Sequence, residues 1–186
     1  MKKILVDVDG VLADFTGIVL GLVGEMTGKT FTAADVKTWE IFESLQVEPD
    51  VRERVYRVMR ASGGCSRIVP YEGAAEGLGL LRQVADVVFV TSPFKDAPSW
   101  TWEREQWLEK HFGVDRRLVI HARDKSHVCG DGILDDNPEH LGMWGKAWPG
   151  RLRMHWTGNG TSLPGDPDSV AVRSWAEVVR AVSGGG

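Results

Sequence analysis

From Pro70 onward, short apolar runs alternate with amphipathic helical stretches, and this alternation constrains the fold more than any other feature of the chain. A helix is predicted around Ala74 to Gln83, a strand at Asp86 to Val90, a helix at Ser99 to His111, and strands at Arg117 to His121 and Gly132 to Leu134. Strands separated by helices return to a sheet in parallel, so the fold class is α/β, a parallel sheet flanked by helices. Two more strands are expected at Arg151 to Trp156 and Ser169 to Val172. A last helix opens at Ser174-Trp175-Ala176-Glu177, which fits a capping box, and Gly184 to Gly186 is expected to fray. With 186 residues and 42% apolar content, the chain can bury one substantial core and carry a modest insertion.

Before Pro70 the pattern differs. Ile4-Leu5-Val6 reads as a buried strand, and Ile18, Val19, Leu22 and Val23 recur at helical spacing. Pro49 starts another helix, in which Val51, Val55, Val58 and Met59 form the apolar stripe. Gly28 to Val47, between them, is polar and punctuated, with Trp39 and Phe42 as its large apolar residues. Gly158 to Asp168 reads as a loop without evident chemistry.

Polar clusters sit where the strands end. Asp7-Val8-Asp9-Gly10 follows the first strand, and strand alternation points both acids the same way while Gly10 lets the chain turn. Thr91-Ser92-Pro93, Arg123-Asp124-Lys125 and Asp135-Asp136 follow three later strands. In an open α/β sheet, ligands bind outside the carboxyl ends of the strands. Each cluster alone is ordinary turn or cap chemistry. Together they bring carboxylates, which need a hard cation such as Mg²⁺, beside a lysine and hydroxyls that suit an anion. Such a set describes a phosphoryl-transfer centre, in which an aspartate can act as nucleophile.

The remaining features are mostly exclusions. The formal charge is −4 and no Lys/Arg run occurs, which argues against binding a nucleic acid polymer but leaves a small phosphorylated ligand open. Cys65 and Cys129 are the only cysteines and lack metal or disulfide spacing. No signal peptide is evident and no run approaches the ~20 apolar residues of a membrane span, so a cytoplasmic protein is expected, with no membrane partner. The five histidines show no metal-binding spacing.

In order, Asp7-Val-Asp9-Gly-Val, Thr91-Ser92, Lys125 and Asp135-Asp136 resemble the four motifs of the haloacid-dehalogenase-like (HAD) phosphatases. The likeness is greatest to the 5′(3′)-deoxyribonucleotidases of that superfamily. Their D-x-D-G-V-L-A-D-F resembles Asp7 to Phe15, their T-S-P resembles Thr91 to Pro93, and their R-D-K…G-D-x-x-x-D-D resembles Arg123 to Asp136. Glu105 to Gly113 is similar to their helix before the lysine strand.

The resemblance implies a Rossmann-like, HAD-type core formed by residues 1–15 and 70–186, with a small helical cap at 16–69. It implies a Mg²⁺-dependent phosphomonoesterase that hydrolyses nucleoside 5′(3′)-monophosphates through an aspartyl phosphate. Asp7 would be the nucleophile, Asp9 the acid and base, and Lys125 the bridge between Asp7 and phosphate. Asp7, the Asp9 carbonyl and Asp136 would hold the metal, with Asp135 orienting the metal ligands or Lys125. Thr91 and Ser92 would hold phosphate and Arg123 would also contact the substrate. Phe15 would stack on the base, with Trp39 and Phe42 as approximate counterparts of the cap aromatics. Met59 and Gly64-Cys65 stand where other family aromatics would, which leaves base preference open. A homodimer is a further implication.

Of the tryptophans, Trp107 and Trp175 read as core. Trp100 and Trp102 are expected to pack, with a border on the substrate as the alternative. Trp144 and Trp148 fall in a Gly-rich stretch read as a loop, suited to partner contact or cleft lining. Two other functions remain open: the same chemistry on another small ester such as a sugar phosphate, and a non-catalytic phosphate-binding module.

Overall fold

The computed structural model describes residues 1–161 and 163–184. Six strands form one parallel sheet: β1 (Lys2–Val6), β2 (Ala85–Thr91), β3 (Val119–His121), β4 (Gly132–Asp135), β5 (Leu152–Trp156) and β6 (Val170–Val172), in the order β3-β2-β1-β4-β5-β6. The helices are α1 (Phe15–Thr27), α2 (Ile41–Leu45), α3 (Pro49–Arg60), α4 (Ala74–Arg82), α5 (Trp100–Phe112), α6 (Pro138–Ala147) and α7 (Trp175–Gly184). The parallel α/β sheet expected from the alternation is therefore present. Strand order reverses at β1, so β1 lies centrally between β2 and β4, where connections diverge and an open sheet presents its crevice.

Strand alternation divides the core. Ile4, Val6, Phe89 and Leu134 belong to the larger cluster, which includes Leu78 and Leu81 of α4, Trp107 and Leu108 of α5, and Val178 of α7. Leu5, Val90 and Ile133 point the other way and pack with Leu141 and Trp144 of α6. Val6 is in register with Phe89 on one side and Leu134 on the other, and the Asp7 N–H extends the ladder to the Leu134 carbonyl at 2.9 Å. The ends of three strands are thus held level.

The structure departs from the sequence reading in several places. The Gly-rich stretch after Asp136 is a helix, α6, capped by the Asn137 side chain with Pro138 in its first turn. Its glycines weaken helix propensity, but a Cβ on Gly145 would collide with the Arg153 side chain, so glycine permits close approach to β5. Trp144 and Trp148 consequently face inward. Their indole N–H groups donate to the carbonyls of Val128 and Ser126, each at 2.9 Å, and clamp the turn that carries Lys125. Arg116–Leu118 is a 3₁₀ turn rather than strand, because the Asp115 carboxylate caps the Arg117 N–H at 2.9 Å. The polar stretch before Pro49 contains α2. In the expected capping box, Ser174 Oγ accepts the Glu177 N–H, but Glu177 accepts from the Arg173 N–H, one residue early. Gly184 closes α7, while residues 185–186 of the expected frayed end lie outside the described residues.

Candidate active site

Immediately after β1 the chain folds tightly on itself. Leu12 and Ala13 N–H groups both donate to the Val8 carbonyl at 2.8 Å, and Gly10 adopts φ +78°. Val8, Val11 and Leu12 are fully buried, which anchors this turn and fixes Asp7 and Asp9 on the rim. Glycine is required at position 10 for a second reason. A Cβ there would fall on the Asp136 carboxylate, so the backbone approaches that acid as closely as it can.

Asp7 Oδ1 accepts the Val8 N–H at 2.7 Å and lies 2.8 Å from Lys125 Nζ. The same ammonium lies 2.6 Å from Asp135 Oδ2, and Asp135 Oδ1 accepts the Asn137 N–H at 2.8 Å. Lysine is thus buried between two acids. Burial opposes its charge, but Asp135 and then Asp7 hold Lys125 above the ordinary lysine range. Asp135 is also penalised by burial, yet the Lys125 charge and the His140 imidazole, 3.5 Å away, bring its carboxyl down to about 2. Asp7 responds oppositely: burial dominates the pull of Lys125 and pushes it up to about 7.

Asp136 is the uncompensated acid. Burial, followed by the charges of Asp7 and Asp135, holds its carboxyl well above the ordinary range. Its Oδ1 is buried without a hydrogen-bond partner among the described residues, while Oδ2 accepts from Asn159 Nδ2 at 3.0 Å. An orphaned oxygen on a crowded acid fits a divalent cation, which would relieve the repulsion and fill the missing contact. Asp7, Asp135 and His140 also bring ligand atoms within 4.8 Å of one another. There, however, Lys125 already neutralises the pair, so Asp136 is where charge is lacking.

A cavity of about 540 Å³ opens beside these acids, with Asp9, Gly10, Ser92, Arg123 and Asp136 on its polar side. Its other walls are mainly apolar, with Thr16, Glu40, Lys95 and Thr161 interspersed. Phe15 at the start of α1, Tyr56 and Met59 of α3, Trp39 and Phe42 around α2, and Phe94 and Trp100 after β2 all line it. Phe94 stacks on Trp100 with centroids 5.0 Å apart, Phe15 lies 5.9 Å from Phe94, and Tyr56 bridges Phe94 and Phe42 at 5.9 and 5.2 Å. The aromatic wall is therefore continuous from α2 and α3 to the loop after β2.

The structure brings Asp7, Asp9, Lys125, Asp135 and Asp136 together, with Phe15, Trp39, Ser92 and Arg123 on the cavity. Thr91 is completely buried, and its Oγ1 has no hydrogen-bond partner among the described residues. Trp100 is buried and lines the cavity, whereas Trp102 faces outward, 56% exposed, against the Arg116 guanidinium. Sequence reasoning missed Tyr56, Phe94, Arg104 and Asn159. Phe94 directly follows Thr-Ser-Pro, a signal that could have found it. Asn159 lay in a segment read as lacking chemistry, with Thr161 and Leu163 of the same loop also on the cavity. Arg104 is fully buried and donates from Nη2 to Asp9 Oδ1 at 2.6 Å. Burial raises Asp9 and Arg104 opposes that rise.

The chain is 27% identical to the mitochondrial 5′(3′)-deoxyribonucleotidase of Mus musculus over 97% of its length and 84% of that protein. It is 31% identical to the cytosolic-type 5′(3′)-deoxyribonucleotidase of Homo sapiens, over 72% of this chain and 70% of that one. In fold it is similar to a conserved haloacid dehalogenase-like protein of unknown function from Agrobacterium tumefaciens. That likeness has a TM-score of 0.68 at 10% identity and covers 99% and 98% of the two chains. No helix among the described residues is long and apolar enough to cross a membrane. The family model of the 5′ nucleotidase, deoxy (Pyrimidine), cytosolic type C proteins matches residues 1–181, and the chain belongs to that family of phosphomonoester hydrolases of the nucleotidase type.

Proposed function

We propose that the chain hydrolyses deoxyribonucleoside monophosphates through an aspartyl phosphate on Asp7, with Mg²⁺ held by Asp7, the Asp9 carbonyl and Asp136. The observation that carries the reading is the continuity of a crowded, lysine-neutralised acid cluster with an aromatic-walled cavity of about 540 Å³. Phosphate chemistry needs the cluster. Only a substrate with a flat, apolar group needs the wall, which a sugar phosphate would leave unused. Both the family match and the names of the relatives support a nucleotide.

In this reading Lys125 and the Val8 N–H hold the Asp7 carboxylate for in-line attack on phosphorus. The new bond joins Asp7 oxygen to phosphorus, while the bond from phosphorus to the nucleoside oxygen breaks and its electron pair leaves with that oxygen. Asp9 supplies the proton that the leaving oxygen requires. Asp9 then takes a proton from water, which attacks the phosphorus of the aspartyl phosphate, releasing inorganic phosphate and restoring Asp7. When bound, Mg²⁺ supplies positive charge that offsets the phosphate oxygens and the acids around them. Ser92 and Arg123 contact the phosphate side of the substrate, Thr91 supports that loop, and Phe15, Trp39 and Phe94 border the base.

Residues 16–69 form the cap over a core of 1–15 and 70–186, and their part of the cavity wall shields the reacting groups from water. The name of the cytosolic-type relative supports a cytoplasmic setting, and that of the mitochondrial relative supports a mitochondrial one. Sedimentation equilibrium checks the homodimer. The functional test is phosphate release from a panel of deoxyribonucleotides, ribonucleotides and sugar phosphates, with Mg²⁺ and with chelator. Mg²⁺-dependent turnover of deoxyribonucleotides above sugar phosphates is expected, and the reverse preference contradicts the proposal.

A further inference from the structure

Helix α5 buries two adjacent ionisable side chains. Glu103 accepts the N–H groups of Gly63 at 2.8 Å and Cys65 at 3.1 Å, and so pins the segment after α3. Arg104 is 0% exposed, and its guanidinium carbon lies 5.4 and 5.1 Å from the ring centroids of Trp100 and Trp107. Those residues are four before and three after it, so the three share one helix face and the rings restrict the guanidinium plane. Among the described residues its Nε and Nη1 have no partner, and its single hydrogen bond is to Asp9 Oδ1. A cation sealed away from water with one carboxylate as partner is a costly arrangement. Nothing in the packing of α5 against Ile68 and Cys65 calls for a charge there.

Asp9 itself lies on the cavity, and its Oδ2 makes no hydrogen bond to any described residue. We propose that Arg104 is a positioning residue that ties back Oδ1 of Asp9 and so aims Oδ2 at the oxygen leaving phosphorus. This rests on the reading of Asp9 as the acid. As the bond between phosphorus and the nucleoside oxygen breaks, its electron pair stays on that oxygen and the proton passes to it from Asp9 Oδ2. Without Arg104 the carboxyl is free to turn toward Lys125, the other cation acting on it, and the proton no longer lies on the path of the leaving group.

The test uses two substrates on the intact protein. Deoxyuridine leaves its monophosphate as an alkoxide that needs a proton, whereas p-nitrophenol leaves p-nitrophenyl phosphate as a stable phenolate that does not. Arg104→Gln is expected to lower kcat on the nucleotide by about 10²-fold and on p-nitrophenyl phosphate by less than tenfold, with KM little changed. In an Asp9→Asn background the same replacement is expected to cost the nucleotide reaction less than threefold further. Should the glutamine variant fail to fold, Arg104→Lys, which keeps the buried charge on a shorter arm, is expected to show the same inequality at about threefold. Parallel losses on both substrates, or no loss on either, in whichever variant folds overturn the assignment. A wild-type protein inert toward every nucleotide overturns instead the reading of the site on which it rests.

Discussion

Asn159 donates from Nδ2 to Oδ2 of Asp136 at 3.0 Å, and both side chains are buried. A neutral amide from the loop after β5 thereby holds one oxygen of this buried acid, while Oδ1 has no hydrogen-bond partner among the described residues and is the oxygen that the proposed reading gives to a cation. Partners of this kind set the orientation of metal ligands. Asn159→Ala is expected to raise the Mg²⁺ concentration needed for half-maximal activity by about tenfold while leaving kcat at saturating Mg²⁺ within a few-fold. A Mg²⁺ titration of phosphate release reads the outcome.

Lys125 is the only cation within ion-pairing distance of Asp7 and Asp135 among the described residues, apart from His140 beside Asp135. Removing it leaves two buried carboxylates without their charge partner. Lys125→Met is expected to cost about 3 kcal/mol of folding stability, measured by urea denaturation, and to reduce turnover at least ~10³-fold. A variant as stable and active as the wild type would show that the ammonium bears neither load.

The acid cluster sets a pH dependence of stability. An unfolded aspartate titrates near pH 4, but burial pushes Asp7 in the fold up to about 7 and raises Asp9 and Asp136 in the same direction. Between those values the folded state binds more protons than the unfolded chain, so stability falls as pH rises across that window. Asp135, brought down to about 2, acts oppositely: its contribution is present above its unfolded value and lost as pH falls toward 2. Thermal unfolding in chelator is expected at a lower temperature at pH 8 than at pH 5, and added Mg²⁺ should raise it more at pH 8. Asp136→Asn is expected to flatten the profile and to abolish the Mg²⁺ response.

The aromatic wall can be tested apart from the chemistry. Phe15 lies on the cavity and contacts Phe94 and Trp100, so Phe15→Leu keeps apolar bulk but loses the flat face. The expected result is a roughly tenfold fall in kcat/KM for deoxyuridine monophosphate, worth about 1.4 kcal/mol, with deoxyribose 5-phosphate, which has no ring to stack, changed less than threefold. Equal loss on both substrates would place Phe15 in packing alone.

The parts of the site that lie at strand ends were legible in the sequence, because an apolar run fixes where a parallel strand stops and the next residue inherits the rim. Asp7, Asp9, Lys125, Asp135 and Asp136 fall on that rim by this reasoning, and the structure brings them into one cluster. Arg104 was not legible, since on an amphipathic helix with Glu103, Glu105 and Glu109 a further charge reads as solvated. Its burial comes from α5 turning Trp100 and Trp107 inward on the same face, a tertiary fact. Asn159 sits some twenty residues beyond Asp136 in a stretch without periodicity, and only β5 and its pairing with β4 return that loop to the acid. α6 was missed because Gly142 and Gly145 lower its propensity while packing of Leu141 and Trp144 against the sheet decides it.

Attack of Asp7 on phosphorus is the step on which the proposed nucleotide hydrolysis depends. Phosphate release from deoxyuridine monophosphate with saturating Mg²⁺, compared between the wild type and Asp7→Asn at equal folded concentration, tests it most directly. Turnover by the wild type and a loss of at least ~10³-fold in the variant, whose fold is retained, are expected. Comparable phosphate release by the folded Asp7→Asn protein would contradict it.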